Sequence, residues 1–378
     1  MPTPPRWQFI LTDLAGNQIG EITNGAERTV SLPLNRIPTA GFRIPLWHPL
    51  AGDVLGLNCL LKVYRRDSVT GTNTLVFHGP LLSAEEAATD NQQTVAVTAT
   101  GPMWRLTKRF IGTSKAGILF GNPGSVEPPV APTLVDLGTV AQQILTTVNG
   151  SGSTGIGNGT TVASTNGVYG TLWLKNAGEA IAELSSGLNS FDYEVAPQEP
   201  SGGGGVPQIG VLNCIPIIGT TKPDSIFEYG TARGNVVNYN RKRDYENVMN
   251  AGFISVAGWP DGTTQDVLGR TNDTSIGIVG RYEDVVNDAG VIEDGLRYSL
   301  LDAHLAARSY AREIVTFSVA QNARPAPFTD YIVGDRIRAR AVVRDSVRFD
   351  AMFRIWGITF RIDQNGNEAL DLQLVQDA

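Results

Sequence analysis

The sequence predicts a mainly β protein with an α+β insertion, in which two β blocks flank a helical stretch. Three observations predict it. Apolar and polar residues alternate through much of both ends, as in Gln93 to Thr100 (QTVAVTAT), and a period of two is the strand signature. Helical spacing is confined to a few runs, two of them in mid-chain. Charged residues make up 18% of the chain, against roughly 25% in an average soluble protein, which suits a β particle that hides surface in its neighbours. At 378 residues the chain exceeds one ordinary domain. The expected division is 1–110 (β), 111–190 (helices and loop), 191–240 (β, with a Gly-rich loop) and 241–378 (β with one helix).

Taken in order, residues 7–14 read as a strand, Ala15-Gly16-Asn17 as a turn, and 18–22 as the returning strand. Strands are expected at 30–34, 42–46, 58–65, 74–82 and 93–100, with no helix placed in this block. The expected object is a closed or nearly closed small barrel, or a sandwich. Residues 104–110 read as a short helix or strand, and 121–132, rich in Pro and Gly, as loop. Asp136 can cap a helix over 137–148, whose Val140, Ile144, Leu145 and Val148 share one face. Residues 149–166 read as a Gly/Ser/Thr/Asn loop. Asn176 and Glu179 have capping-box spacing ahead of a second helix.

Residues 191–195 and 209–215 read as a strand pair around the tetraglycine 202–205. The stretch Arg241 to Asp244 reads as an exposed charged turn feeding a strand that ends at Gly258. Residues 259–297 read as acidic loop. Ser299 can cap a helix to about Glu313, with Asp302 at its positive end. Strands are expected at 314–320, 335–343 and 352–361. Asn365-Gly366 then turns the chain into a last strand over 369–375.

Chemistry is sparse. Three histidines (His48, His78, His304) accompany no Gly-x-Ser-x-Gly and no His-Glu-x-x-His. Cys59 and Cys214 sit in apolar runs and read as buried thiols. Glu85, Glu86 and Asp90 cannot be recognised as a catalytic pair from spacing. Asp284, Asp288, Glu293 and Asp294 do not match a calcium loop. The tetraglycine has neither a following helix nor Gly-Lys-Ser/Thr, so no phosphate cradle and no cofactor is expected. The amino terminus lacks an apolar signal core, and no apolar run spans a membrane, so synthesis in the cytoplasm is expected. A net charge of −7 gives no general attraction to nucleic acid.

One pattern stands out. Arg336, Arg338 and Arg340 alternate along one strand face, and Arg344, Arg348, Arg354 and Arg361 continue the bias. Seven acidic residues between Asp335 and Asp377 balance these seven arginines. Three readings stand: a solvated or ion-paired face, a subunit interface, or DNA contact.

Three places carry a resemblance. They are Phe9 to Gly16 with Leu32 to Asn35 and Phe42 to Pro45; Arg243-Asp244-Tyr245-Glu246-Asn247; and the helix from Ser299 followed by Val333 to Arg338 and Asp371 to Leu374. In this order they resemble the tail-tip hub proteins of long-tailed bacteriophages (minor tail proteins), or the amino-terminal hub part of tail-associated lysins. These in turn are similar to the hub of contractile tails. The resemblance implies two β-barrel tube-like domains flanking an insertion, and a homotrimer ending the tail tube in the virion. Its implied partners are the distal tail protein, the tape-measure protein and a central fibre or other tail-tip proteins, with DNA only in transit. The hydrolase or fibre domains of lysin versions do not follow the last hairpin, so a structural hub rather than an enzyme is expected. Two rivals remain. One is a glycan-binding adhesin using Tyr169, Trp173 and Trp259; the other is a wall hydrolase with an unrecognised site.

Overall fold

The computed structural model describes residues 7–67, 71–88, 93–111, 118–119, 135–161, 166–167, 171–172, 175–186, 191–201, 206–232, 234–255, 267–286, 298, 301–302, 304–306, 308–321 and 323–376. Among them, thirteen strands from both ends of the chain form a single sheet. Its order runs Val236–Asp244, Arg312–Val319, Glu368–Val375, Ser346–Ile362, Ala26–Pro33, Thr39–Pro45, Gln93–Thr100, Asn73–Ala88, Cys59–Arg66, Trp7–Asp13, Gln18–Glu21. Arg336–Val343 branches from Ser346–Ile362 and carries Thr221–Tyr229, parallel, on its other side.

Two long strands make this continuity possible. Asn73–Ala88 pairs with Cys59–Arg66 through its first half and with Gln93–Thr100 through its second. Ser346–Ile362 pairs first with Arg336–Val343 and then, past an irregularity at Ile355/Gly357, with Ala26–Pro33. The amino and carboxyl blocks are therefore joined by six consecutive cross-strand pairs, from Gly357↔Pro33 to Ile362↔Arg28. Neither block closes into a barrel by its own hydrogen bonds among the described strands. The core is shared in the same way: Phe9, Phe42 and Val97 belong to one buried cluster with Phe317, Ile337, Phe360 and Leu372. Alternation explains it, because each strand sends every second, apolar side chain inward.

The insertion has a core separate from the sheet's, joined by Met103 and Leu106 of the amino block. Helices Leu137–Gly150 and Ala177–Ser186 bury Ile144, Leu145 and Ile181 against Tyr193 and Leu212 of strands Asp192–Ser201 and Gln208–Ile215. Asp136 caps the first helix, accepting from Gly138 N and Thr139 N, and Asn176 Oδ1 accepts from Glu179 N. A third, small cluster groups Met249, Ile254, Val286, Leu301 and Leu305. No helix among the described residues is long and apolar enough to cross a membrane.

Several expectations are corrected. Arg241 to Asp244 is not a turn but the end of strand Val236–Asp244, paired with Arg312 to Val315. Lys242 and Arg243 are exposed, whereas Arg241 is half-buried over the Phe349 ring and meets Glu313. Two short helices, Ala51–Leu55 and Met103–Leu106, interrupt the amino β block. The loop expected over 149–166 contains strand Ile156–Thr161, held parallel to Gln208–Ile215. The stretch 259–297 contains strands Val267–Thr271 and Glu283–Val286 and helix Asp273–Val279, capped by Asn272. The helix expected over 299–313 is helical at 298, 301–302, 304–306 and 308, and the next strand already starts at Arg312. Ser299, Gly258 and the tetraglycine lie outside the described residues.

Candidate assembly surfaces and junctions

The arginine strand is built as its alternation predicts. Ile337, Ala339 and Ala341 are buried, while Arg336, Arg338 and Arg340 lie on the other face. Register places Arg340 opposite Asp350 and Arg338 opposite Met352. Arg338 Nε and Nη2 donate to the two oxygens of Asp350 at 2.7 and 2.9 Å, a fork-to-fork pair. Those hydrogen bonds hold the Asp350 carboxyl below the usual carboxylate range. Arg340 lies 3.6 Å from Glu228 and 3.8 Å from Asp350. Within one chain Arg338 and Arg340 are thus ion-paired.

Two other clusters were not read from the sequence, and they hold the molecule together. Arg65 and Glu368 form a two-pronged pair, Nε to Oε2 at 2.9 Å and Nη2 to Oε1 at 3.1 Å, with side chains only 2% and 6% exposed. Trp7 Nε1 also donates to Glu368, at 2.9 Å, and the Arg65 guanidinium lies within 6.0 Å of the ring centres of Trp7, Phe328 and Phe360. The first strand, the amino block and the last hairpin are thereby locked around one buried charge pair.

The second cluster centres on Asp192. Its carboxylate accepts from Asn35 Nδ2 at 2.9 Å, from Ile218 N at 2.7 Å, and from Arg354 Nη2. Asn35 belongs to the amino block, Arg354 to the carboxyl block, and Asp192 opens the insertion's strand. Close by, Gly219 and Gly334 have positive φ of 92° and 94° and touch: a Cβ on Gly219 would come within 2.3 Å of the Gly334 carbonyl carbon. Buried Asp335 accepts from Thr220 N at 2.6 Å and Ile332 N at 2.9 Å. This gives the Val333-Gly334-Asp335-Arg336 phrase a structural reason.

The sheet's outward face carries a further feature. Directly opposed residues run Asn238, Ser318, Asp371, Thr359, Ser31, Thr39 across six adjacent strands of both blocks. Ser31 and Thr359 share a hydrogen bond of 3.2 Å, and Ser318 donates to Asp371 at 2.8 Å. The only charge in the row, Asp371, is matched by Arg361. The row is small, hydroxylic and close to neutral.

The remaining candidates are placed as follows where they are described. Cys59 and Cys214 are buried free thiols, and burial pushes the Cys214 thiol up to about 12. Glu85 and Glu86 are exposed on the far half of their strand. Asp284 pairs with Arg308 at 2.7 Å, and the described residues contain no metal-ligating cluster. Asp90, Asp288, Glu293 and Asp294, and the aromatics Tyr169, Trp173 and Trp259, lie outside the described residues.

No protein-family model matches the chain, and no curated protein matches it. Solved structures do. The prophage MuSo2 43 kDa tail protein from Shewanella oneidensis is similar at TM-score 0.63 and 11% identity, covering 98% of each chain. The tail protein from Neisseria meningitidis MC58 is similar at 0.59 and 10%, covering 98% of this chain and 97% of that one. The prophage tail protein gp18 from Listeria monocytogenes EGD-e follows at 0.57 and 12%, covering 98% and 94%. At such identities the likeness is one of fold, and it runs the length of the chain.

Proposed function

We propose that this protein is a structural component of a bacteriophage tail tip, in which copies of the chain, three by our reading, form a ring that ends the tail tube. The observation that carries the proposal is the end-to-end fold likeness to three tail proteins, two of them from prophages. Each chain contributes two tube-like units, its amino and carboxyl β blocks, so that three chains make six.

The hydroxylic row Asn238, Ser318, Asp371, Thr359, Ser31, Thr39 across the sheet, its one charge matched by Arg361, supports this reading. A passage for the tape-measure protein and then DNA must not hold what passes, so it favours short uncharged side chains over a basic wall. In this reading the distal tail protein, the tape-measure protein and a central fibre are the neighbours, and the role is assembly rather than catalysis. The arginine face of Arg336, Arg338 and Arg340 lies at a subunit contact, where its forks exchange or share their carboxylates with the next copy.

The test is solution mass at several concentrations, with negative-stain images of the same sample. A concentration-dependent shift to a three-fold particle with a central hole is expected. A particle of another symmetry, or mass growth without a closed ring, would refute the ring.

A further inference from the structure

A cavity of about 160 Å³ lies where the amino block, the carboxyl strands and the chain leading to the small Met249 cluster meet. Its wall takes Leu34 and Arg36 from the amino block, Arg312 and Trp356 from the carboxyl strands, and Asn247 and Arg308 from the chain beside that cluster. Three arginines thus border one small space, in a chain whose net charge is −7. Their charges are unequally matched. Arg308 is committed, its Nε donating to the Asn247 carbonyl at 2.8 Å and its Nη2 to Asp284 at 2.7 Å. Asp244, the one carboxylate of the wall, stands directly opposite Arg312 in the strand ladder. Its oxygens are taken by others, accepting from Lys242 Nζ at 3.1 Å and from Glu246 N at 3.0 Å. The Arg312 guanidinium instead lies 5.6 Å from the centre of the Trp356 ring, itself part of the wall. Arg36 and Arg312 make no ion pair and donate no side-chain hydrogen bond among the described residues. Asp284 offsets Arg308 and Lys242 offsets Asp244, so two positive charges are left over at the cavity. Arg28, Arg65 and Arg354, by contrast, each find a carbonyl or a carboxylate.

A guanidinium only donates, and it matches oxyanions best. The side-chain amides of Asn247 and Gln373 add further donors to the wall. The volume exceeds the roughly 10–15 Å³ that one water needs. Arg36 and Arg312 both remain exposed, so an ion reaches them from solvent. We propose that the cavity binds a divalent tetrahedral oxyanion of the phosphate class, held between Arg36 and Arg312 beside Trp356. The bound ion adds a further tie between the two β blocks. The site is complete within one chain and does not depend on ring assembly.

The test is calorimetric titration of the full chain, at low ionic strength and about pH 8, where phosphate is mostly a dianion. The titrants are sodium phosphate, sodium chloride at matched ionic strength, and dimethyl phosphate, a singly charged diester that stands for a nucleic-acid backbone. Phosphate should saturate one site per chain and chloride none, with the diester at least about tenfold weaker than phosphate. Arg36→Gln and Arg312→Gln should each weaken phosphate about tenfold or more, the value of one charge-assisted hydrogen bond. Arg344→Gln, in the turn between strands Arg336–Val343 and Ser346–Ile362, should leave it unchanged. Phosphate binding no tighter than chloride, equal binding of the diester, full phosphate affinity in either Arg36→Gln or Arg312→Gln, or an equal loss in Arg344→Gln would each overturn the proposal. The comparison of titrants on the unaltered chain decides the matter even if a variant folds poorly.

Discussion

The terminal β blocks and the insertion are joined to the rest of the molecule in opposite ways. The blocks, hundreds of residues apart in sequence, share a sheet, an apolar core and a dry charge pair. The insertion lies between them in sequence, yet its core is separate from the sheet's; it docks on the amino block through Met103 and Leu106, which join that core, and through the polar contacts of Asp192 and Asn35. Closeness along the chain therefore does not decide what folds together. The shared ladder makes the two ends one cooperative unit, while the insertion is a neighbour that can loosen by itself.

The strongest way to break that contrast is Glu368→Gln. It leaves the Arg65 guanidinium buried and uncompensated, at a cost of about 3–5 kcal/mol, read as a fall in the urea midpoint. Probes in both β blocks should report the same transition. Arg65→Met with Glu368→Leu should recover much of the loss, because an apolar pair replaces the charges.

Ile144→Ala sharpens the contrast from the other side. A cavity in the insertion's core costs about 2–5 kcal/mol. Limited proteolysis should then cut within the insertion while the sheet stays protected. Loss of both together would merge the two units.

His78 sits where the insertion meets the amino block, and its titration weakens that seam. Its folded pKa is about 4 against 6.5 for the free side chain, so the unfolded chain binds more protons between these values. Stability should fall as pH drops from about 6.5 to about 4, by about 3 kcal/mol in full. His78→Leu should remove this segment of the pH profile and leave the carboxylate losses at lower pH.

The smallest effect is expected at the arginine face. Because the Arg338–Asp350 pair is exposed, Arg338→Ala should leave the melting temperature unchanged. The triple change at Arg336, Arg338 and Arg340 should lower the fraction of assembled particles at a given concentration. Unchanged assembly would return the face to its ion-paired role alone.

Local features of this fold were legible in the sequence, and pairings were not. The Asp136 and Asn176 caps, the apolar stripe of Val140 and Ile144, the Asn365-Gly366 turn and the arginine alternation depend on residues a few positions apart. Arg65 and Glu368 are 303 positions apart, and Ser31 and Thr359 are 328 apart, so nothing in either neighbourhood announces its partner. Charge density disguised the edge strand ending at Arg241 to Asp244 as a turn, since an edge strand tolerates long polar side chains. Gly and Thr disguised strand Ile156–Thr161 as loop; its order comes from the parallel neighbour and from Gln142 donating to the Gly159 carbonyl. The contact of His78 with Gln198 was likewise invisible, because only the fold brings that carbonyl to the ring.

The most direct measurement is native-state hydrogen exchange, amide by amide, across the seam where Ala26–Pro33 meets Ser346–Ile362. One sheet shared by both ends predicts that amides of the amino and carboxyl strands open together, with the same free energy and the same denaturant dependence, while the insertion opens at a lower free energy. Independent opening of the two ends, with the seam exchanging as fast as the insertion, would contradict it.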